Sequence, residues 1–148
     1  KIMSIEARAS YTDTFEHAFD AKGRITVPSE WRVDSFESRL FVLPSSDSCL
    51  RVYPESWLSD LQEKLKDLKD GDPVRRQVQA LASIAQSTTW DQQGRIMVKE
   101  KLRQRGGLKK EAVLVGLLTH FEIWDKAIWE KKQAAATTVE EALSAIGL

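Results

Sequence analysis

The chain repeats itself. The stretch "FDAKGRITVP" at 19–28 returns as "WDQQGRIMVK" at 90–99, 71 residues later. At the same offset Arg32 falls on Arg103, Val42 and Leu43 on Val113 and Leu114, and "LRVY" at 50–53 on "FEIW" at 121–124, with no gap from 19 to 53. A match kept in register over that span marks a tandem duplication. It constrains the fold more than any local propensity does, because whatever one unit forms the other must form as well, around a shared core.

Each unit reads in the same order. A strand of period two comes first, with Phe15, His17 and Phe19 on one face and Glu16 and Ala18 on the other. A turn and a β-branched strand follow, then a short helical stretch, from Ser29 in the first unit and over about 99–105 in the second, where Gly106 and Gly107 stop it. Two strands then form a hairpin, "LFVLP" with "CLRVY" and "AVLVG" with "HFEIW", and a helix closes the unit. The first closing helix starts at Pro54, and Trp57, Leu58, Leu61, Leu65 and Leu68 recur at helical spacing, an expected buried stripe. The second starts near Asp125, whose carboxylate suits a cap. A further helix, opened by Asp72 and Pro73 and carrying Val74, Val78, Leu81, Ala82 and Ala85 on one face, links the units, and "KDGDP" at 69–73 breaks it from the helix before. The expected organisation is a first repeat with its helix at 13–69, a linker helix at 70–86, a second repeat at 87–130 and a helical tail at 131–148 whose end frays.

The repeated turn has its own chemistry. Asp20 and Asp91 head the two turns, where a carboxylate accepts hydrogen bonds from backbone N–H groups two residues on. Gly23 and Gly94 supply a positive φ at no steric cost. Arg24 and Arg95 then open the next strand, each able to pair with its own aspartate. Read locally, this is a hairpin tip with a surface ion pair worth ~0–1 kcal/mol. The repetition of the arginine, and Lys22 beside Arg24, point further, because a cationic loop on a rigid β scaffold suits a phosphate or a base edge.

Charge and composition bound the rest. Lys and Arg number 22 and Asp and Glu 22, so the whole chain is not a polycation. The basic residues are nevertheless concentrated at 93–110, where Arg95, Lys99, Lys101, Arg103, Arg105, Lys109 and Lys110 face the single acid Glu100. A single cysteine, Cys49, excludes an internal disulfide and fits a reducing compartment. No apolar run approaches the ~20 residues of a spanning helix, and "KIMSIEARAS" lacks the apolar centre of a signal peptide, so the expected location is cytoplasmic, with no membrane partner. No metal-spaced Cys/His cluster and no phosphate-binding glycine loop occurs, and His17 and His120 fall on expected strands, so no enzyme activity, metal or cofactor is expected. The five tryptophans fall mostly on expected buried faces, with Trp90, at the mouth of the second turn, best placed for packing.

"FEHAFDAKGRITVPSEWR", "CLRVYPESW", "DQQGRIMVKEKLR" and "EAVLVGLLTHFEIWD" resemble the MraZ family of bacterial transcriptional regulators, over about 13–130. The resemblance implies an α+β fold of the AbrB-like type, in which two pseudo-symmetric swapped-hairpin units form a small β-barrel with flanking helices. It further implies a ring-shaped homo-oligomer, associated with the nucleoid, that binds double-stranded DNA at short direct repeats in the promoter of its own division and cell-wall operon. The DNA contacts it implies are Lys22 and Arg24 first, then Arg95, with Gln93 standing where the first loop has Lys22. This chain departs from the family pattern with Lys99 for a common proline, with Ser83-Ile84-Ala85 for Ser-Gly-Ala, and with Gln92 and Gln93 on the second loop. The alternative reading is an antitoxin-like interaction or assembly module, whose working surface would be the helices at 54–86 and 125–146.

Overall fold

A computed structural model describes residues 9–133 and 137–148. The opening segment 1–8 and part of the expected tail helix, 134–136, lie outside the described residues. Among the described residues there are eight strands: β1 (Thr14–Ala18), β2 (Arg24–Thr26), β3 (Arg39–Pro44), β4 (Leu50–Pro54), β5 (Gln86–Thr89), β6 (Arg95–Met97), β7 (Glu111–Gly116) and β8 (Phe121–Asp125). The helices are α1 (Glu55–Leu65), α2 (Pro73–Ile84), α3 (Glu100–Arg105), α4 (Lys126–Gln133) and α5 (Val139–Ala145), with a 3-10 turn at Ser29–Trp31. Among the described residues, no helix is long and apolar enough to cross a membrane.

The fold is α+β, built on one antiparallel six-stranded sheet in the order β1-β7-β8-β4-β3-β5. Strand β1 pairs with β7, while β5 pairs with β3, so the first strand of each unit joins the hairpin of the other. At the centre β4 meets β8, where Arg51 lies opposite Glu122 and Val52 opposite Phe121. Arg51 and Glu122 are 71 residues apart, so they hold the same place in the two units. Among the described residues the strands β2 and β6, three residues each, pair with one another and with no other strand, Ile25 opposite Ile96. The small closed barrel expected from the resemblance is therefore not what forms. The sheet stays open, with β1 and β5 as its edges, because the short β2 and β6 make their own ribbon and do not extend the ladders.

The pleat explains the core. Alternate residues of a strand point to opposite faces. Leu40, Val42, Leu50, Val52, Leu114, Phe121 and Ile123 share one buried cluster with Ile25, Val27, Ile96 and Val98 from the ribbon, and Trp31 and Leu102 join it. Burying one isoleucine such as Ile96 stabilises the fold by roughly 1.5–3 kcal/mol. The residues between them face the other way: Val113, Val115 and Trp124 pack with Ile128 and Trp129 of α4. Asp125 caps α4, accepting from the Ile128 N–H at 3.4 Å.

Two expectations change. The stripe on α1 is half-buried only: no residue of α1 or α2 is buried, and Val74 is exposed. The α1–α2 hairpin rests on the outer side of β3 and leaves a cavity of about 180 Å³ among Phe41, Leu58, Leu61, Val78 and Leu81. Periodicity identified the inward face of these helices but not how closely that face seats. Of the tryptophans, Trp31 and Trp124 are buried, whereas Trp57, Trp90 and Trp129 are partly covered.

Candidate functional site

Both repeated turns lie at the ends of the β2–β6 ribbon, and their hydrogen bonds match atom for atom. Oδ1 of Asp20 accepts the backbone N–H of Lys22 and of Arg24, each at 2.9 Å, and Oδ2 accepts from Arg24 Nε at 2.7 Å. Oδ1 of Asp91 accepts the N–H of Gln93 and of Arg95, each at 2.9 Å, and Oδ2 accepts from Arg95 Nε at 3.1 Å. Gly23 and Gly94 take φ of +80° and +78°, and their N–H groups donate to the carbonyls of Asp20 and Asp91. The backbone N–H of Arg24 is the largest influence on Asp20, whose carboxyl is brought down to about 2. The N–H of Arg95 likewise holds Asp91 below the usual carboxylate range. These carboxylates stay ionised because the turn donates to them, so each is a strut for its loop.

The two loops are locked to one another. The Val27 N–H donates to the Gly94 carbonyl at 2.8 Å, and the Val98 N–H to the Gly23 carbonyl at 2.9 Å. Arg32 Nε donates to the Val27 carbonyl at 2.8 Å, and Arg103 Nε to the Val98 carbonyl at 3.0 Å. Each of these guanidiniums also covers the glycine of the other unit: a Cβ on Gly23 would fall 2.8 Å from Arg103 Nη2, and one on Gly94 would fall 2.6 Å from Arg32 Nε. The second loop's cation reaches across the ribbon as well, with Arg95 Nη1 at 3.8 Å from Asp20 Oδ2.

The ribbon thus gathers Arg24, Arg95, Asp20 and Asp91 in one cluster. The arginine side chains are 30% and 26% exposed, so both guanidiniums are held yet reach solvent. Lys22 and Gln93 are exposed on their tips. Arg32 and Arg103 were missed as site residues. A signal existed, since besides Arg24 and Arg95 they are the only arginines that repeat at the 71-residue offset, but their targets lie in the opposite unit.

The side chains that could suggest chemistry sit apart from this cluster. His17 is half-buried on β1, and burial lowers its pKa. The His120 ring stacks on Tyr53 at 4.5 Å, and its pKa is also lowered by burial. Burial pushes the Cys49 thiol up to about 11, the wrong direction for a nucleophile. Among the described residues no group of three His, Cys, Asp or Glu side chains is placed to hold a metal ion. Trp90 packs against the main core.

The model of one protein family, described as "MraZ protein, putative antitoxin-like", matches residues 11–80 and again 81–145. A transcriptional regulator MraZ from Pediococcus pentosaceus is 41% identical, over 86% of this chain and 85% of its own. One from Lachnoclostridium phytofermentans is 40% identical over 78% and 82%, and one from Acetivibrio thermocellus 33% over 90% and 96%. The double family match and this extent of identity lead to one conclusion: the chain belongs to the MraZ family.

Proposed function

We propose that this protein is a DNA-binding transcriptional regulator that grips short direct repeats in duplex DNA upstream of its own division and cell-wall operon. The observation that carries the reading is the ribbon itself: two identically built loops, each braced by the other unit, presenting Lys22 and Arg24 from one turn and Gln93 and Arg95 from the other. Arg24 and Lys22 are the principal contacts. A guanidinium already oriented by Asp20 loses little freedom when it meets a phosphate or a guanine edge. The transcriptional role named for the relatives supports the same reading.

A chain with 22 basic and 22 acidic residues binds DNA weakly one copy at a time. Several copies meeting successive repeats gain avidity of ~10²–10⁴ when their spacing matches. We therefore place the protein in a homo-oligomeric ring at the nucleoid, each chain contributing two pseudo-symmetric swapped-hairpin units. The exchange of β1 and β5 between the hairpins supports that arrangement. Fluorescence anisotropy on its upstream DNA, run beside a native mass measurement, tests this. Arg24→Ala is expected to abolish specific binding with assembly mass unchanged. Unaltered affinity would remove the loop from the mechanism.

A second reading, an antitoxin-like interaction module, draws on Val74 and Ile84, exposed on α2, and on the wording of the family description. Deleting α2 separates the two: an interaction module loses its protein partner, whereas a DNA binder with an intact ribbon keeps DNA affinity.

A further inference from the structure

The two loops are alike in backbone but not in what surrounds them. Because the units pack across one another, the first loop is flanked by the second unit's α3 segment, and the second loop by the first unit's 3-10 turn. Arg103 lies over Gly23 and within 5.9 Å of the Phe19 ring centre. The carbonyl of Lys110 accepts the Phe19 N–H at 2.8 Å, immediately before Asp20. Lys99 follows Val98, whose N–H holds the Gly23 carbonyl. Lys99, Arg103 and Lys110 therefore stand around Lys22 and Arg24. Among the described residues, Lys22, Lys99 and Lys110 form no ion pair.

The matching positions around the second loop are different. Pro28 stands for Lys99, Gln93 for Lys22 and Arg39 for Lys110. Arg39 is paired with Glu55 at 2.9 Å. Arg95 is shared between Asp91 at 3.1 Å and Asp20 at 3.8 Å, whereas among the described residues Arg24 pairs with Asp20 alone. Glu30 and Asp34, both exposed, stand where the second unit has Lys101 and Arg105.

On the DNA-binding reading given above, we infer that the duplex leans to the first-loop end of the ribbon, its phosphates running over the first loop together with Lys99, Arg103 and Lys110 of the second unit, while the matching Pro28, Gln93 and Arg39 around the second loop take no phosphate and Arg95 joins from the shared cluster. Charges act over a Debye length of about 8 Å at physiological salt, so cations packed against a loop share its field, and the first-unit segment that flanks the second loop carries Glu30 and Asp34 where the second unit carries Lys101 and Arg105. A phosphate track on one side orients the protomer on the duplex, which a symmetric pair of loops would leave ambiguous.

The test is the salt dependence of binding to the upstream DNA by the full chain, because each neutralised phosphate contributes about 0.9 to the log–log slope. Lys99→Ala with Lys110→Ala is expected to make the slope shallower by about 1.8. Glu30→Gln with Asp34→Asn is expected to leave the slope unchanged. Equal unfolding midpoints confirm that both variants keep the fold. A wild-type slope in the lysine variant, or a steeper slope in the acid variant, overturns the choice of side while leaving DNA binding intact. Failure of the unmodified chain to bind that DNA in any salt-dependent way overturns the functional reading and the sidedness together.

Discussion

Alanine at Gly94 measures how strongly one unit braces the other, and Gly71 provides the reference. Both glycines have positive φ, +78° and +87°. At Gly71 nothing lies within 4 Å of an added Cβ, so Gly71→Ala meets only the backbone preference, about 1 kcal/mol. At Gly94 the same Cβ falls 2.6 Å from Arg32 Nε and 2.7 Å from Nη1. The guanidinium must leave, and Nε gives up its 2.8 Å bond to the Val27 carbonyl. A hydrogen bond from a charged donor is worth about 1.5–3 kcal/mol, and the lower end applies to a half-exposed arginine that water can rehydrate. Gly94→Ala is therefore expected to cost about 2.5 kcal/mol, some 1.5 kcal/mol more than Gly71→Ala. Urea unfolding at one fixed protein concentration reads both, provided the m-value holds. The source of the excess is isolated by repeating Gly94→Ala in an Arg32→Ala background, where the penalty is expected to fall to about 1 kcal/mol. Equal costs for the two glycines, or an undiminished penalty without Arg32, would refute the clamp.

Glu122 is buried and accepts from Arg51 Nε at 3.2 Å and from Trp124 Nε1 at 2.9 Å. Glu122→Gln keeps an acceptor and is expected to cost about 1 kcal/mol, whereas Glu122→Arg sets like charges at the sheet centre and is expected to cost about 3 kcal/mol or more, both read by thermal unfolding. The Asp20 carboxyl is held down to about 2 by its turn, so its contribution to stability is complete above its unfolded value near pH 4 and is lost as pH falls towards 2. Carbon-detected titration should find that carboxyl still ionised at pH 3, and Asp20→Asn should flatten stability across that window. A midpoint near 4 would show that the turn does not hold it.

What the sequence disclosed depended on how far each interaction reaches along the chain. The Asp-x-x-Gly-Arg turns were legible because the carboxylate bonds that shape each of them span no more than four residues: Asp20 to Lys22 and Arg24, Asp91 to Gln93 and Arg95. The duplication gave the order of elements in each unit, but not that β1 would choose β7 over its own unit's β3, since both offer an apolar antiparallel edge and only the assembled core selects between them. The repeat marks Arg32 and Arg103 in the sequence, but not their targets, for the same reason: each meets a glycine in the other unit. The α1 and α2 stripes had the right period, yet period says which face turns inward and nothing about depth, which is set by side chains such as Phe41 and Leu43 beneath them.

The pairing of Arg51 with Glu122 shows what fusing the two units permits. In an assembly of two identical single units, the residue at this central position would face its own copy, and a charge there would meet a like charge. Within one chain the two positions vary independently, and here they carry opposite charges at 3.2 Å. That freedom applies equally at the loops. Once the halves need not be identical, Lys22 can differ from Gln93 and Lys99 from Pro28, while the Asp–Arg struts that shape both turns stay the same. A symmetric scaffold with an asymmetric charge face follows from fusion alone. The decisive comparison is therefore between the cations around Gly23 and the residues that hold the matching places in the first unit, Pro28, Glu30 and Asp34, because the two loop backbones are built alike.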